Sequence, residues 1–313
     1  MVLHHPRHVA RGTTPAGTRS GSTSTDIRDR RIPNSIGFWR EFPQHIEAWK
    51  AEMANRGLCT SLFAERAGFK TQAALAGWLG GQTIRDENTA AVALGDYFDM
   101  VNDFNLSFGP YLEPQTSPLT GDVQVYTSPL AGFRVLSNPD VVITDGTLQM
   151  SKVGLGEVKA PWVVTSSALK RFVTQLPFSH FGEQFVSRPC PSRREGGAAI
   201  KAHREGVRLA GALVQIFGDL VRDKRSVGFL ATSEYIIYCF IPPENRGHLS
   251  IFYNRVYHLQ RPWRPDTTPA RCFTAQVGLA TLAWVARRFY AMDLDPPGGL
   301  KKWGGTSIVK HLN

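Results

Sequence analysis

Apolar residues recur along this chain with two different periods, and the places where the period changes mark its elements. Across residues 35–54, SIGFWREFPQHIEAWKAEMA sets Phe38, Ile46 and Trp49 among charges, which predicts an amphipathic helix after a Pro-containing turn. LCTSLFAERAGF predicts a second helix. DENTAAVALGDYFDMVNDF, residues 86–104, predicts a third, its acidic first turn suited to the positive end of the helix dipole. Between residues 107 and 138, Pro110, Pro114, Pro118 and Pro129 with Gly109, Gly121 and Gly132 exclude a long helix and leave a connection or a set of short edge strands.

The period then shortens. PDVVITDG and VGLGEVKAPW read as two β-rich runs, the first closed by Asp145-Gly146, and they predict neighbouring antiparallel strands. TSSALKRFVTQL predicts a short helix, SRPCPSRREGG a loop, and HREGVRLAGALVQIFGDLVRD a long helix over 203–223. SVGFLATSEYIIYCFIP has the β-branched and aromatic content of two strands around a turn at Ser233-Glu234, and HLSIFYNRVYHL that of another strand. A last helix is predicted over 268–292. This order gives an α/β fold with a mixed central sheet flanked by helices. The expected divisions are a basic tail over 1–33, a helical extension over 34–84, the main domain over 85–292 and a basic C-terminal tail over 293–313.

Composition narrows the class. The 313 residues are 42% hydrophobic, enough for a core, whereas the first thirty-odd are rich in Arg, His, Ser, Thr, Gly and Pro and read as disordered. No apolar run is long enough to span a membrane, and no secretory signal is evident, so a soluble intracellular protein, nuclear or cytoplasmic, is expected. Cys59, Cys190, Cys239 and Cys272 form no CxxC pair, and His180, His203, His248 and His258 show no metal-ligand spacing. Ser151 and Lys152 form no S-x-x-K, and no G-x-S-x-G is present, so a serine hydrolase lacks support. A formal charge of +10 favours a polyanionic partner, nucleic acid being the commonest, although part of that charge lies in the tail and also suits a solubility or nuclear-targeting role.

The candidate chemistry lies on the predicted hairpin. Asp140 opens the first strand and Glu157-Val158-Lys159 ends the second, so antiparallel pairing sets Asp140 beside Glu157. Strand alternation puts Glu157 and Lys159 on one face and Val158 on the other. Two carboxylates and the carbonyl of Val158 suit Mg²⁺ or Mn²⁺, which keeps waters and substrate phosphate in its remaining positions. Lys159 would orient the attacking water or stabilise charge on the phosphorane. A bare Glu-x-Lys triplet is expected about once in a chain of this length, and alone it would be an exposed ion pair worth at most about 1 kcal/mol. Context carries the reading.

That context is the order PDVVITDG, GLGEVKAPW, LVQIFGDLV and VGFLATSEYIIYCF, which resembles the fungal PD-(D/E)XK nuclease-like domain proteins over about residues 130–292. The resemblance implies a restriction-endonuclease-like fold, Asp140 and Glu157 as metal ligands, Lys159 as the catalytic lysine and Gln215 as a helper on the following helix. An early acid of the site is also implied, with Glu87, Asp96 and Asp99 all open as candidates. Many relatives carry Tyr four places after the Gln, where this chain has Asp219. The expected function is Mg²⁺-dependent hydrolysis of DNA or RNA; the alternative is a catalytically silent module that binds nucleic acid or a protein partner. Trp162, just past the site, is a candidate base-stacking residue, although most of the tryptophans suit a core or interface better.

Overall fold

The computed structural model describes residues 31–55, 90, 94, 123–127, 140–145, 152–186, 190–192, 194, 196–232, 234–255, 275–294 and 303–307. In chain order these form β1 (Arg31–Ile32), β2 (Ser35–Phe38), α1 (Phe42–Asn55), β3 (Val123–Thr127), β4 (Val141–Asp145), β5 (Lys152–Val158), α2 (Ser166–Thr174), a single π-helical turn (Gly182–Val186), α3 (Gly197–Asp223), β6 (Val227–Ala231), β7 (Tyr235–Phe240), β8 (His248–Arg255), α4 (Ala275–Leu294) and β9 (Thr306–Ser307). The protein is α/β, with a mixed sheet flanked by helices.

Seven strands run in the order β2-β8-β7-β6-β5-β4-β3, while β1 and β9 form a separate antiparallel pair. β2–β8 and β5–β6 are parallel; the other neighbours in the large sheet are antiparallel. The expected hairpin is therefore present as β4–β5, and the two strands expected around Ser233-Glu234 are β6 and β7. Every residue of β6 and β7 is buried, because helices cover both faces of the sheet and leave none of their side chains a wet side. One layer joins α1 and α4 to Val141, Ile143, Phe229 and Tyr238; the other joins α2 and α3 to Leu155, Leu230, Ile237 and Leu249. A register shift between Ile143 and Thr144 turns β5 over: Val153 belongs to the first layer and Leu155, two residues on, to the second.

The N-terminal region departs from its expected reading. Ser35–Phe38, expected to be helical, is an edge strand of the main sheet parallel to β8, and only Phe42–Asn55 is helix, with Pro43 in the first turn where a missing N–H costs nothing. Pairing with β8 outweighs the local periodicity, and Gly37 permits it, because a Cβ there would lie 2.9 Å from the His248 ring. α1 joins the main core through Phe42, Ile46 and Trp49, and Trp284 Nε1 donates to Glu52 Oε2 at 2.8 Å, so this stretch packs with the main domain. Ile32, assigned to the tail by composition, is buried in β1. The C-terminal stretch likewise contributes β9, and Trp303 stacks 3.9 Å from the guanidinium of buried Arg246, which also pairs with Asp293 at 3.1 Å.

The long helices follow their capping chemistry. Thr165 caps α2 by accepting from the Ala168 N–H at 3.2 Å. α3 begins at Gly197, six residues before its expected start, and closes on Lys224 in the left-handed region at φ 53°. Ala90 and Leu94, four apart, are helical and buried, in keeping with the helix expected there; LCTSLFAERAGF lies outside the described residues.

Candidate active site at the ends of β4 and β5

Register sets the pair. Val141 lies opposite Gly156, so Asp140, just before β4, stands across from Glu157. Lys159 N–H donates to Ala231 O at 2.8 Å and continues the parallel ladder with β6. Val158 N–H therefore points the other way, towards β4, which has already ended. The Asp140 carboxylate takes it: Val158 N donates to Asp140 Oδ2 at 2.9 Å. Because N–H and C=O of one strand residue face the same edge, the Val158 carbonyl is turned to the Asp140 side as well.

Glu157 and Lys159 project from the opposite face to Val158, towards α3. Lys159 Nζ lies 3.0 Å from Glu157 Oε2 and 4.0 Å from Asp140 Oδ2. Gln215, on α3, donates from Nε2 to Glu157 Oε2 at 2.7 Å. Close approach of the sheet strands holds the carboxylate in place: a Cβ on Gly156, its neighbour, would sit 2.4 Å from the Phe229 ring. Asp140, Glu157, Lys159 and Gln215, all expected from the sequence, are thus brought together.

The electrostatics are uneven. Glu157 is 1% exposed and Lys159 5%, whereas the Asp140 side chain is 38% exposed, so the site opens to solvent over Asp140. Burial pushes the Glu157 pKa well above the ordinary carboxylate range, the Lys159 ammonium pulls it back, and the charges of Asp140 and Asp219 push it up again. Among the described residues, Glu157 Oε1 is buried with no hydrogen-bond partner. An orphaned buried acceptor costs about 1–3 kcal/mol, more when it is charged, so an added cation at this oxygen would be stabilising.

Those observations test the fit of a divalent metal. Two carboxylates, one with a free buried oxygen, and a carbonyl turned to the same edge are a hard oxygen set suited to Mg²⁺ or Mn²⁺. Among the described residues no three His, Cys, Asp or Glu side chains cluster in the manner of an all-side-chain metal site; two carboxylates with waters are what Mg²⁺ commonly takes. Glu87, Asp96 and Asp99 lie outside the described residues. Trp162 is half-buried just after β5.

Sequence reasoning missed the part played by Asp219. In the sequence it stands only as a departure from a Tyr, yet it is buried one turn after Gln215 and its charge acts on Glu157. The i, i+4 spacing of Gln215 and Asp219 was the available signal. One turn further, Asp223 pairs with Lys152 at the start of β5, so α3 carries a polar stripe along the whole strand.

Comparison with protein-family models, with curated proteins and with solved structures returns no match. Among the described residues no helix is long and apolar enough to cross a membrane.

Proposed function

We propose that this protein is a Mg²⁺- or Mn²⁺-dependent nuclease of the PD-(D/E)XK class, with a restriction-endonuclease-like fold, hydrolysing phosphodiester bonds of nucleic acid. The observation that carries the reading is the orphaned, buried Glu157 Oε1 beside Asp140 and Lys159 at the shared end of β4 and β5. The resemblance of the surrounding motifs to the fungal PD-(D/E)XK nuclease-like proteins, and the charge of +10, point the same way.

Asp140, Glu157 and the Val158 carbonyl would hold the metal. Bound there, it would polarise the scissile phosphate and make a bound water more acidic. Lys159, fixed by Glu157, sets its ammonium between the two carboxylates, where it can orient the attacking water and offset charge on the phosphate. Gln215 takes one Glu157 oxygen and leaves the other for the cation. Substrate reaches the site over the exposed side of Asp140, since Glu157 and Lys159 are buried.

A second reading rests on the 3.0 Å Lys159–Glu157 contact: a buried ion pair that serves the fold alone, in a silent module that binds nucleic acid or a protein partner. Metal titration separates the two. The nuclease reading expects Mg²⁺ or Mn²⁺ to raise the melting temperature of the wild type, by about 2.7 kcal/mol of stability at a hundredfold excess over Kd. Asp140→Asn and Glu157→Gln should lose that response, an amide being a much poorer ligand for Mg²⁺ than a carboxylate. A wild-type melting temperature indifferent to both metals overturns the nuclease reading.

A further inference from the structure

α3 is longer than the sheet it packs on. It runs antiparallel to β5, with Asp223 at the strand's first residue, Lys152, and Gln215 at Glu157 near its end. Everything before Gln215 therefore extends past the end of the strand, outward from the site. None of the first twelve residues of α3 is buried; the first that is buried is Leu209.

The exposed half is basic on one flank. Lys201, Arg204, Arg208 and Gly211 are exposed, and Gln215 is half-buried. At about 100° per residue these five positions fall within about 80° of arc, so they form one straight row whose last member holds Glu157. The row spans about 21 Å at a rise of about 1.5 Å per residue. At Gly211, between the cations and the site, a Cβ would meet nothing within 4 Å among the described residues, and the residue is exposed. Its only acid, Glu205, is held by Arg171 and Ser167 of α2, at 2.9 Å each. α2 covers a different flank, where Ala202, His203, Gly206 and Val207 line a cleft of about 310 Å³.

Building on the nuclease reading of the site, we infer that this flank of α3 is the docking surface for duplex DNA, and that it guides the phosphate backbone towards Asp140. The charge row matches a polyanion, and it is continuous with the carboxylate site through Gln215. Single strands are bound on aromatic platforms, and residues 197–211, GAAIKAHREGVRLAG, contain no Phe, Tyr or Trp. A projecting helix about 10–12 Å across suits the major groove of B-form DNA, about 12 Å wide, and not the deep, narrow one of A-form RNA. The three cations contact phosphates and set position, without reading sequence.

The test uses the full chain with alanine at Lys201, Arg204 and Arg208 together. Alanine is the best helix former, so α3 is kept. Arg40→Ala, an exposed change beside α1 on the other face of the sheet, is the control. Binding of a labelled DNA duplex is followed by anisotropy in EDTA against salt, with Mg²⁺-dependent cleavage by the wild type measured on the same duplex. Each phosphate contact contributes about 0.9 to the log–log salt slope, so the triple variant should lose about 2.7 of it, while Arg40→Ala keeps the wild-type slope. A wild type that cleaves, beside a triple variant with unchanged affinity and slope, overturns the docking surface and leaves the nuclease reading standing. Tighter binding of duplex RNA or single strands than of duplex DNA overturns the choice of partner. A wild type that neither binds nor cuts the duplex overturns the docking surface and counts against the nuclease reading as well.

Discussion

Gln215→Ala removes one contact from the site without changing its charge. Gln215 Nε2 lies 2.7 Å from Glu157 Oε2 and, with Lys159, occupies that oxygen. A hydrogen bond to a charged group is worth about 1.5–3 kcal/mol, and at about 1.4 kcal/mol per decade that is roughly a ten- to hundredfold loss of metal affinity. The same range is typical when the partner of a metal ligand is removed. The bond favours the ionised carboxylate, so its loss should push the Glu157 pKa, already raised by burial, further up. Asp219→Asn should act in the opposite sense, because the Asp219 charge is among the causes that raise that pKa. Cleavage measured against Mg²⁺ concentration at several pH values is the assay. Gln215→Ala should need roughly ten- to hundredfold more Mg²⁺ and move its rising pH limb upward, while Asp219→Asn moves that limb downward. If Gln215→Ala keeps the wild-type Mg²⁺ requirement and pH profile, Gln215 is only filling space and the hydrogen bond plays no part in metal binding.

Three further outcomes follow from the packing and electrostatics. The raised Glu157 pKa means that, above the ordinary value of 4.5, the unfolded chain releases a proton that the metal-free folded chain keeps, so this group's stabilising contribution is full below that pH and falls as pH rises towards the folded pKa. Thermal unfolding without metal should accordingly show the wild type losing ground to Glu157→Gln as pH rises, by at most about 1.4 kcal/mol per unit; a gap constant with pH would contradict the assignment. Gly156→Ala should destabilise by about 1–3 kcal/mol through overpacking against Phe229, measured by urea unfolding, and a neutral effect would mean that β5 and β6 are less closely apposed. Truncation through Ile32 should cost about 1.5–3 kcal/mol for the lost buried side chain, whereas removal of residues 1–30 should leave the melting temperature unchanged.

Much of the site could be read from the sequence because strand geometry is local. Once PDVVITDG and VGLGEVKAPW pair antiparallel, Asp140 and Glu157 must meet, and the two-residue period must put Lys159 beside Glu157. Gln215 required the order of motifs, since nothing local says which turn of a 27-residue helix faces β5. The misreadings have one cause, which is pairing between distant segments. Ser35–Phe38 is a strand only because β8, some two hundred residues later, offers a parallel edge, and Arg31–Ile32 is a strand only because Thr306–Ser307 pairs with it. Periodicity within twenty residues carries no trace of such a partner. The role of Asp219 was hidden for the same reason: its charge matters through Glu157, which is 62 positions away in the chain.

The central claim is tested most directly by Lys159→Ala, since Lys159 is the group whose removal separates chemistry from the carboxylate pair. Plasmid DNA, single-stranded DNA and RNA would each be incubated with wild type and variant in Mg²⁺ or Mn²⁺, with binding followed in parallel. Wild-type protein should cleave at least one of them only when the metal is present, and Lys159→Ala should keep the fold and most nucleic-acid affinity while losing cleavage. Wild-type protein that binds neither metal and cuts none of the three substrates, or a Lys159→Ala protein that cuts as fast as the wild type, would contradict the account.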